Sequence, residues 1–499
     1  MAPSKKLKIL FIASELYPFV KTGGVADVSA ALPQKLTEIG HEVRIIVPKY
    51  GAIDSRKYKI HDVVRLKDLS VDIAGREVVF SVRSSFLPSP KVRVQIYFLD
   101  NHEYFGSRKS LYYDPLVGKN YPDNDERFIF FSKSVFSLLQ KLGWTPDIIH
   151  VNDWQCGLIP VYLKTMYAND PLLSHFRVLY TIHNFSEQEV FPAASFAKTG
   201  LDKKYGSEKY LLHNNKLNFV KGGVLFADAV NTVSDGYVRQ VLKEDEITDG
   251  LKPFLAKRKN DFYGVLNGID DQVWNPERDK YIPKKYSIKN IENKTANKEL
   301  LLERFGLQFR EDVPVIGVIS RLSDFKGMDL ITQSFPELMK MDIQLILLGT
   351  GDRKYHQAFE KLASKYPDKF ACFLGFSDEL AHLIEAGTDM FLMPSKYEPC
   401  GLNQMYSLAY GSVPIVRETG GLADTVIKFN PKTNEGTGFV FKEYTTDALV
   451  KEVQRAVKVF HDQGTWQKIM RNGMRVDFTW QSSAKMYVDL YKKVLSNKE

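Results

Sequence analysis

Residues 8–13 (KILFIA) form a continuous apolar run after the leading lysine, followed by paired glycines, a helical stretch over about 24–40, and a second strand candidate at 42–47 (EVRIIV). A run apolar at every position is the mark of a parallel strand covered on both faces, so this order of strand, glycine turn, helix and strand predicts a βαβ unit. Further strands are predicted over 92–99, 147–151, 178–182 and 229–233, and residues 55–82, which alternate apolar and polar, add strands at the sheet edge. A second series starts after Leu266-Asn267-Gly268-Ile269-Asp270, with apolar runs at 313–320 (VPVIGVIS), 343–348, 370–374, 390–393 and 413–416 between helical segments. Residues 275–300, with Pro276, Pro283 and many Lys and Asn, read as an exposed connection. Two α/β sheets in tandem follow, with ligands expected at the carboxyl ends of the strands and in the cleft between domains. Residues 482–495 place Ala484, Tyr487, Leu490, Tyr491 and Leu495 at helical spacing, and periodicity does not choose between packing on their own domain and crossing back to the first.

Length and composition narrow the class. At 499 residues the chain exceeds one growing core, and its net charge of +8 is spread among mixed basic and acidic residues without a basic block. Nucleic acid is therefore not the expected partner, whereas a mild positive field suits an anionic sugar nucleotide. Cys156, Cys372 and Cys400 have neither metal-ligand spacing nor the density of a disulfide scaffold, so a reducing, cytoplasmic setting is expected and no metal. Lys5, Lys6 and Lys8 precede residues 9–13 in the manner of a signal peptide, but that run meets Glu15 at once and reads as the first strand. No apolar stretch reaches membrane-spanning length.

Four segments carry candidate chemistry. Lys21-Thr22-Gly23-Gly24 lies between the first strand and its helix, where glycines admit a phosphate or sugar to the backbone and a lysine adds a mobile cation; a tight turn is the plain alternative. The spacing is neither that of a dinucleotide site nor a P-loop. Arg321-Leu322-Ser323-Asp324-Phe325-Lys326-Gly327 puts two cations five residues apart after the strand that opens the second series, suited to a diphosphate leaving group or simply to a solvated loop. In Tyr397-Glu398-Pro399-Cys400-Gly401-Leu402, proline and glycine force a turn from which Glu398 binds sugar hydroxyls or caps the helix that follows. Thr419-Gly420-Gly421-Leu422-Ala423-Asp424 echoes Thr22-Gly23-Gly24-Val25-Ala26-Asp27, as though both domains presented a glycine-lined helix start to a shared cleft. His183 follows a predicted strand directly, at the cleft edge, and His150 stands at the end of another, just before Asp153, which contacts a ligand or simply holds a loop; His41, His61, His213 and His461 read as surface or packing residues.

Together these segments resemble the bacterial glycogen synthase and plant starch synthase family, retaining nucleotide-sugar glucosyltransferases of the GT-B type, in which two Rossmann-like domains face each other across a deep cleft. The resemblance rests on Ser14-Glu15-Leu16-Tyr17-Pro18 with Lys21-Thr22-Gly23-Gly24, His183-Asn184, Leu266-Asn267-Gly268-Ile269-Asp270, Arg321 with Lys326-Gly327, Pro394-Ser395 with Glu398-Pro399-Cys400-Gly401-Leu402, and Thr419-Gly420-Gly421-Leu422-Ala423-Asp424, all in the family's order. It implies an acceptor-side domain over 1–264, a nucleotide-sugar domain over 265–479, and a helix over 480–499 that returns to the first domain. It implies catalytic roles for Lys21, His183, Arg321, Lys326 and Glu398. Donor contacts are implied for Gly23, Gly24, Asp153, Asn267, Phe376, Cys400, Gly401, Leu402, Thr419, Gly420 and Gly421, with Phe376 and Ser377 flanking the base. After His183-Asn184 the chain departs from the family's pattern, since Glu189 stands where a glycine follows Gln188, and Glu187 adds charge near the acceptor entrance.

The implied reaction is transfer of glucose from ADP-glucose to the non-reducing end of an α-1,4-glucan, glycogen or a maltooligosaccharide, with no bound cofactor. Domain closure would set Lys21 and the glycine amides against one side of the diphosphate and Arg321 and Lys326 against the other. A UDP-glucose or small-acceptor transferase of the same fold, and a non-catalytic carbohydrate or nucleotide-sugar sensor, are the alternative readings.

Overall fold

The computed structural model describes residues 6–496; Lys5 and the last three residues of the 480–499 segment lie outside it. The chain divides into two compact units. In its described part the first holds residues 6–233, 241–265 and 480–496, and the second holds Ser234–Gln240 and Leu266–Thr479.

In the first unit the strand Lys8–Ile12 is central, and Ile9, Leu10, Phe11 and Ile12 are wholly buried. It pairs in parallel with Glu42–Pro48 on one side and Ile148–Asn152 on the other. Gln95–Asp100 continues the parallel ladder beyond Glu42–Pro48, while Arg177–Ile182, Ala229–Thr232 and Phe262–Gly264 continue it beyond Ile148–Asn152. The alternating stretch supplies Arg76–Phe86, antiparallel to Gln95–Asp100, with Leu69–Ile73 and His61–Asp62 paired to it at that edge. The chain builds outward from Lys8–Ile12 to one side and then crosses to the other, so the order switches between Lys8–Ile12 and Ile148–Asn152. In sheets of this kind ligands bind at the switch, beyond the strands' carboxyl ends. The helix Trp480–Ser496 packs on this unit: its Tyr491 hydroxyl lies 2.8 Å from His150 Nδ1 and its Tyr487 hydroxyl accepts from Asn231 at 3.2 Å.

The second unit is a six-stranded parallel sheet in the order Phe370–Phe373, Gln344–Gly351, Val315–Leu322, Met390–Met393, Val413–Arg417, Phe439–Phe441. Counted within the unit this is 3-2-1-4-5-6, the doubly wound order of nucleotide-binding sheets, and its switch lies between Val315–Leu322 and Met390–Met393. The last strand, Phe439–Phe441, did not register as one in the hydrophobic pattern.

Residues 275–300 are not the exposed connection that their polarity suggests. Asp279, Ile282, Tyr286 and Ile291 are buried, and the helix Lys294–Arg304 begins inside the segment. The Lys294 ammonium donates to the carbonyls of Glu385 (2.9 Å) and Ala386 (2.8 Å) near the end of the helix Asp378–Gly387. Asp279 accepts from His382 at 2.7 Å and from Tyr410 at 2.5 Å, and Trp274 is stacked between His382 and Tyr406 at 3.8 and 3.9 Å. Polar heads satisfied by backbone and by one another let this stretch enter the unit without loss of hydrogen bonding. Among the described residues no helix is long and apolar enough to cross a membrane.

Candidate active site

At the switch of the first unit the chain leaves Lys8–Ile12 through residues 13–24 and enters the helix Val25–Glu38. Glu15, nearly buried, folds this loop around its carboxylate, which accepts from the Thr22 amide (2.6 Å), the Thr22 hydroxyl (2.5 Å), the Gly23 amide (3.1 Å) and the Tyr112 hydroxyl (2.8 Å). The Gly23 amide is therefore committed to Glu15. A side chain on Gly23 or Gly24 would meet nothing within 4 Å. Lys21 is exposed and bonds both oxygens of Asp27 in the first turn of the helix, at 2.7 and 2.9 Å.

The neighbouring strand Ile148–Asn152 delivers Asp153 at φ +58°, a left-handed conformation unusual outside glycine. Its carboxylate accepts from the His183 amide at 2.8 Å, and burial pushes its pKa up to about 8. Asp153 is thus protonated at neutral pH. The His183 ring places Nε2 3.0 Å from Asn152 Oδ1, while the Asn152 amide nitrogen donates to the Ile12 carbonyl at 3.0 Å. That second bond turns the Asn152 oxygen toward the ring, so Nε2 carries the proton and Nδ1 is an acceptor. Burial pushes His183 down to about 4, so the imidazole is neutral. Asp153 and His183 thus form one bonded cluster of uncharged groups.

The second unit gathers its residues from loops after three adjacent strands. Arg321 ends Val315–Leu322 with its guanidinium exposed, and among the described residues it forms no ion pair. Asp324–Lys326 then forms a 3-10 turn closed by Gly327 at φ +76°, where a Cβ would sit 2.2 Å from the Pro394 carbonyl. This close approach carries Lys326 to the loop after Met390–Met393. The Lys326 ammonium meets Glu398 at 2.8 and 2.6 Å, and the Ser395 hydroxyl donates to the same carboxylate at 3.1 Å. Glu398 therefore serves as a counter-ion and does not cap the helix Asn403–Tyr410. The two cations are unequal: Lys326 is neutralised and Arg321 is not.

Gly401, at φ +72°, makes the turn after Cys400, and the Gln404 side chain donates to the Cys400 and Gly401 carbonyls, both at 3.0 Å. Burial pushes the Cys400 thiol up to about 12. Leu402 precedes the helix as its N-cap. Gly420 and Gly421 are buried beneath this turn, where added Cβ atoms would lie 2.0 Å from the Glu398 carbonyl and 2.1 Å from that of Cys400. The second glycine pair is a packing surface for the Glu398 loop, unlike the open first pair that it echoes in sequence. Thr419 donates to Gln240 at 3.1 Å, and Asn267 keeps a buried side-chain oxygen without a hydrogen-bond partner among the described residues. Phe376 stands apart from this group: it follows the edge strand Phe370–Phe373, two strands from Val315–Leu322, and its ring is 82% exposed.

The sequence reading missed the supporting residues. Glu15 and Ser395 stood inside quoted segments without a role, and Asn152, Tyr112 and Asp27 had none. An acid ending an apolar strand just before a glycine loop was the available signal for Glu15.

Residues 8–257 match the starch synthase catalytic domain family and residues 302–473 match the glycosyl transferases group 1 family. The chain is 44% identical over 493 residues to a glycogen synthase of Geotalea daltonii, covering 99% of this chain and 100% of that one. It is 42% identical over 493 residues to a glycogen synthase of Thermotoga maritima, covering 98% and 99%. Among solved structures it superposes on the catalytic domain of starch synthase IV from Arabidopsis thaliana bound to ADP and acarbose, with TM-score 0.86, 29% identity and coverage of 99% and 100%. A sucrose-phosphate synthase from Thermosynechococcus elongatus, 18% identical with TM-score 0.61 over 98% of this chain and 100% of that one, shares the fold. The chain belongs to the glycogen synthase and starch synthase family, retaining glycosyltransferases of the GT-B fold with two Rossmann-like units.

Proposed function

We propose that this enzyme transfers the glucosyl group of ADP-glucose to the 4-hydroxyl at the non-reducing end of an α-1,4-glucan, with retention of configuration. The observation that carries the reading is the cluster at the switch of the second unit: Arg321, which forms no ion pair among the described residues, at the end of the strand that leads to Lys326, itself held by the buried Glu398. A cation parked on a carboxylate is available to a stronger anion, and a diphosphate at this switch would draw Lys326 while Glu398 turns to sugar hydroxyls. The ADP bound by the Arabidopsis starch synthase supports the choice of donor.

Departure of ADP breaks the bond from the anomeric carbon to the β-phosphate oxygen, and Arg321 and Lys326 stabilise the charge that builds on that phosphate. The acceptor hydroxyl attacks from the face that ADP leaves, its oxygen forms the new glycosidic bond, and its proton passes to a phosphate oxygen. One carboxylate, already bonded to a lysine, is not the paired-acid arrangement of hydrolases, so Glu398 acts on the sugar's hydroxyls. His183, neutral with Nδ1 as an acceptor, and Asp153, protonated and able to donate, suit sugar hydroxyls, and Lys21 supplies the first unit's cation. Gly24, Asn267, Cys400, Gly401, Leu402, Thr419, Gly420 and Gly421 shape the donor's surroundings, and Phe376 flanks the base.

The divisions at 1–264, 265–479 and 480–499 are proposed as the functional domains of acceptor, donor and returning helix. A cytoplasmic location belongs to the same reading, and the three free cysteines suit a reducing compartment. Initial rates of nucleotide release with ADP-glucose and with UDP-glucose, each with and without glycogen, test the proposal. Glycogen-dependent release of ADP is expected. Saturable ADP-glucose binding without release would mark a sensor instead.

A further inference from the structure

The loop that carries Lys21 is shaped by a buried polar chain reaching into the segment after His183. Glu15 holds the Thr22 and Gly23 amides and accepts from Tyr112. Burial, with the Glu15 charge beside it, keeps the Tyr112 pKa well above its ordinary value, so the phenol stays protonated and donates to Glu15. Its single proton spent, the Tyr112 oxygen accepts from Ser14 at 2.8 Å. The Tyr112 backbone is fixed in turn by Asn124, wholly buried, whose amide nitrogen donates at 2.8 Å to the Tyr112 carbonyl and at 2.8 Å to Glu189. Arg127 donates to the other end of that amide at 2.6 Å, which fixes its orientation. The links from Glu189 through Asn124 and Tyr112 to Glu15 are hydrogen bonds of 2.8 Å among buried or half-buried groups, where breaking one leaves an unsatisfied partner.

We propose that Glu15 is a positioning residue for the Lys21-Thr22-Gly23-Gly24 loop, and that Glu189 sets its grip through Asn124 and Tyr112, coupling the segment after His183 to the loop that presents Lys21. Glu15 draws the Thr22 and Gly23 amides inward, which turns Lys21 outward and leaves Gly24 at the head of the helix. Glu189 anchors Asn124, Asn124 anchors the Tyr112 backbone, and Tyr112 completes the shell of Glu15. The relay itself stands on the hydrogen bonds; only its effect on turnover rests on the transferase reading.

Two measurements on the full chain separate the two. Hydrogen exchange at the Thr22 and Gly23 amides reads the relay without any need for activity. Glu15→Gln, which loses one acceptor oxygen, should speed exchange there at least tenfold. Glu189→Ala should speed it about threefold, and Glu189→Gln, which keeps an acceptor for Asn124, should restore wild-type exchange. In a Tyr112→Phe background, which keeps the ring packed against Phe128 and Trp154, Glu189→Ala should add nothing. Unchanged exchange in Glu15→Gln, or equal acceleration by Glu189→Ala in both backgrounds, overturns the relay. Steady-state rates then read its consequence: KM for ADP-glucose should rise about tenfold in Glu15→Gln and threefold in Glu189→Ala, with smaller changes in kcat. If the relay holds and wild type releases no ADP, the transferase reading falls while the positioning role stands; if wild type turns over and both variants keep its donor KM, the role in catalysis is overturned.

Discussion

The runs Thr22-Gly23-Gly24-Val25-Ala26-Asp27 and Thr419-Gly420-Gly421-Leu422-Ala423-Asp424 are nearly one sequence, yet the protein uses them in opposite ways. In the first unit the glycines face open space and the aspartate pairs with an exposed lysine, Lys21. In the second they are buried against the Glu398 and Cys400 carbonyls, and the aspartate accepts from Arg239 and from the Gly236 amide. The acid differs as well. Glu15 grips its own loop through two amides, whereas Glu398 grips a cation from the next loop. A shared motif therefore fixes where a helix starts, and its neighbours decide whether the glycines admit a ligand or another piece of backbone.

The sharpest test of this contrast is the cation that the second unit holds on the Glu398 carboxylate. Lys326→Ala removes a phosphate contact and leaves Glu398, nearly buried, with Ser395 as its remaining partner. Loss of one such charge-stabilising donor costs about 3 kcal/mol, so turnover should fall by about a hundredfold or more while glycogen binding holds. Adding Glu398→Gln should recover thermal stability, since no unpaired charge remains, without recovering turnover. Equal losses of turnover and glycogen affinity in Lys326→Ala would place the lysine outside the diphosphate contact.

Next come the glycines of the buried pair. Gly421→Ala drives a methyl against the Cys400 carbonyl at 2.1 Å, and neither backbone yields cheaply. Overpacking of this kind costs about 1–3 kcal/mol. Turnover should fall at least tenfold with a lower melting temperature, because the shifted loop is the one that carries Glu398. Wild-type values for both would show that the second loop is as open as the first.

Much of this arrangement was written in the sequence, and the missing parts share a cause. Apolar runs such as residues 8–13 and 313–320 announce parallel strands because both faces are covered, and glycine pairs announce the turns after them. Hydrophobic pattern is blind to polar groups that pair with one another inside. Lys294 and Asp279 looked like solvent-facing residues of a linker, yet the first meets a carbonyl and the second a histidine and a phenol below the surface. Glu15 escaped for the same reason, since it is held by two backbone amides and two hydroxyls that no side-chain motif names. The resemblance supplied the residues that would touch substrate, and the three-dimensional partners supplied the ones that hold them.

The two units also differ in protonation. Lys326 and Glu398 form a charged pair, whereas the first unit keeps Asp153 neutral, with a pKa of about 8 in place of about 3.9. A folded state that holds a proton the unfolded chain has released loses stability as pH rises, here between about 4 and 8. His183 acts in the opposite sense, its contribution lost as pH falls from about 6.5 toward about 4. Asp153→Asn keeps the acceptor for the His183 amide and removes only the first term. Its melting temperature should match wild type near pH 4 and exceed it by a few degrees near pH 8. Parallel melting curves across that range would mean that Asp153 is ionised in the folded protein.

The smallest effects belong to the open loop. Gly24 sits in a right-handed conformation, and a methyl there meets nothing within 4 Å, so Gly24→Ala should leave the melting temperature within about 1 °C, in keeping with exposed positions free of special backbone demands. Asp27→Asn breaks a pair whose side chains are 47% and 41% exposed, and ion pairs so open to solvent contribute little to stability. Freeing Lys21 from its aspartate should lower KM for ADP-glucose about twofold at low salt, with the gain fading as ionic strength rises. A large loss of stability in either variant would mean that the first loop is packed as tightly as its counterpart, and the distinction between an admitting loop and a packing one would fail at its simpler end.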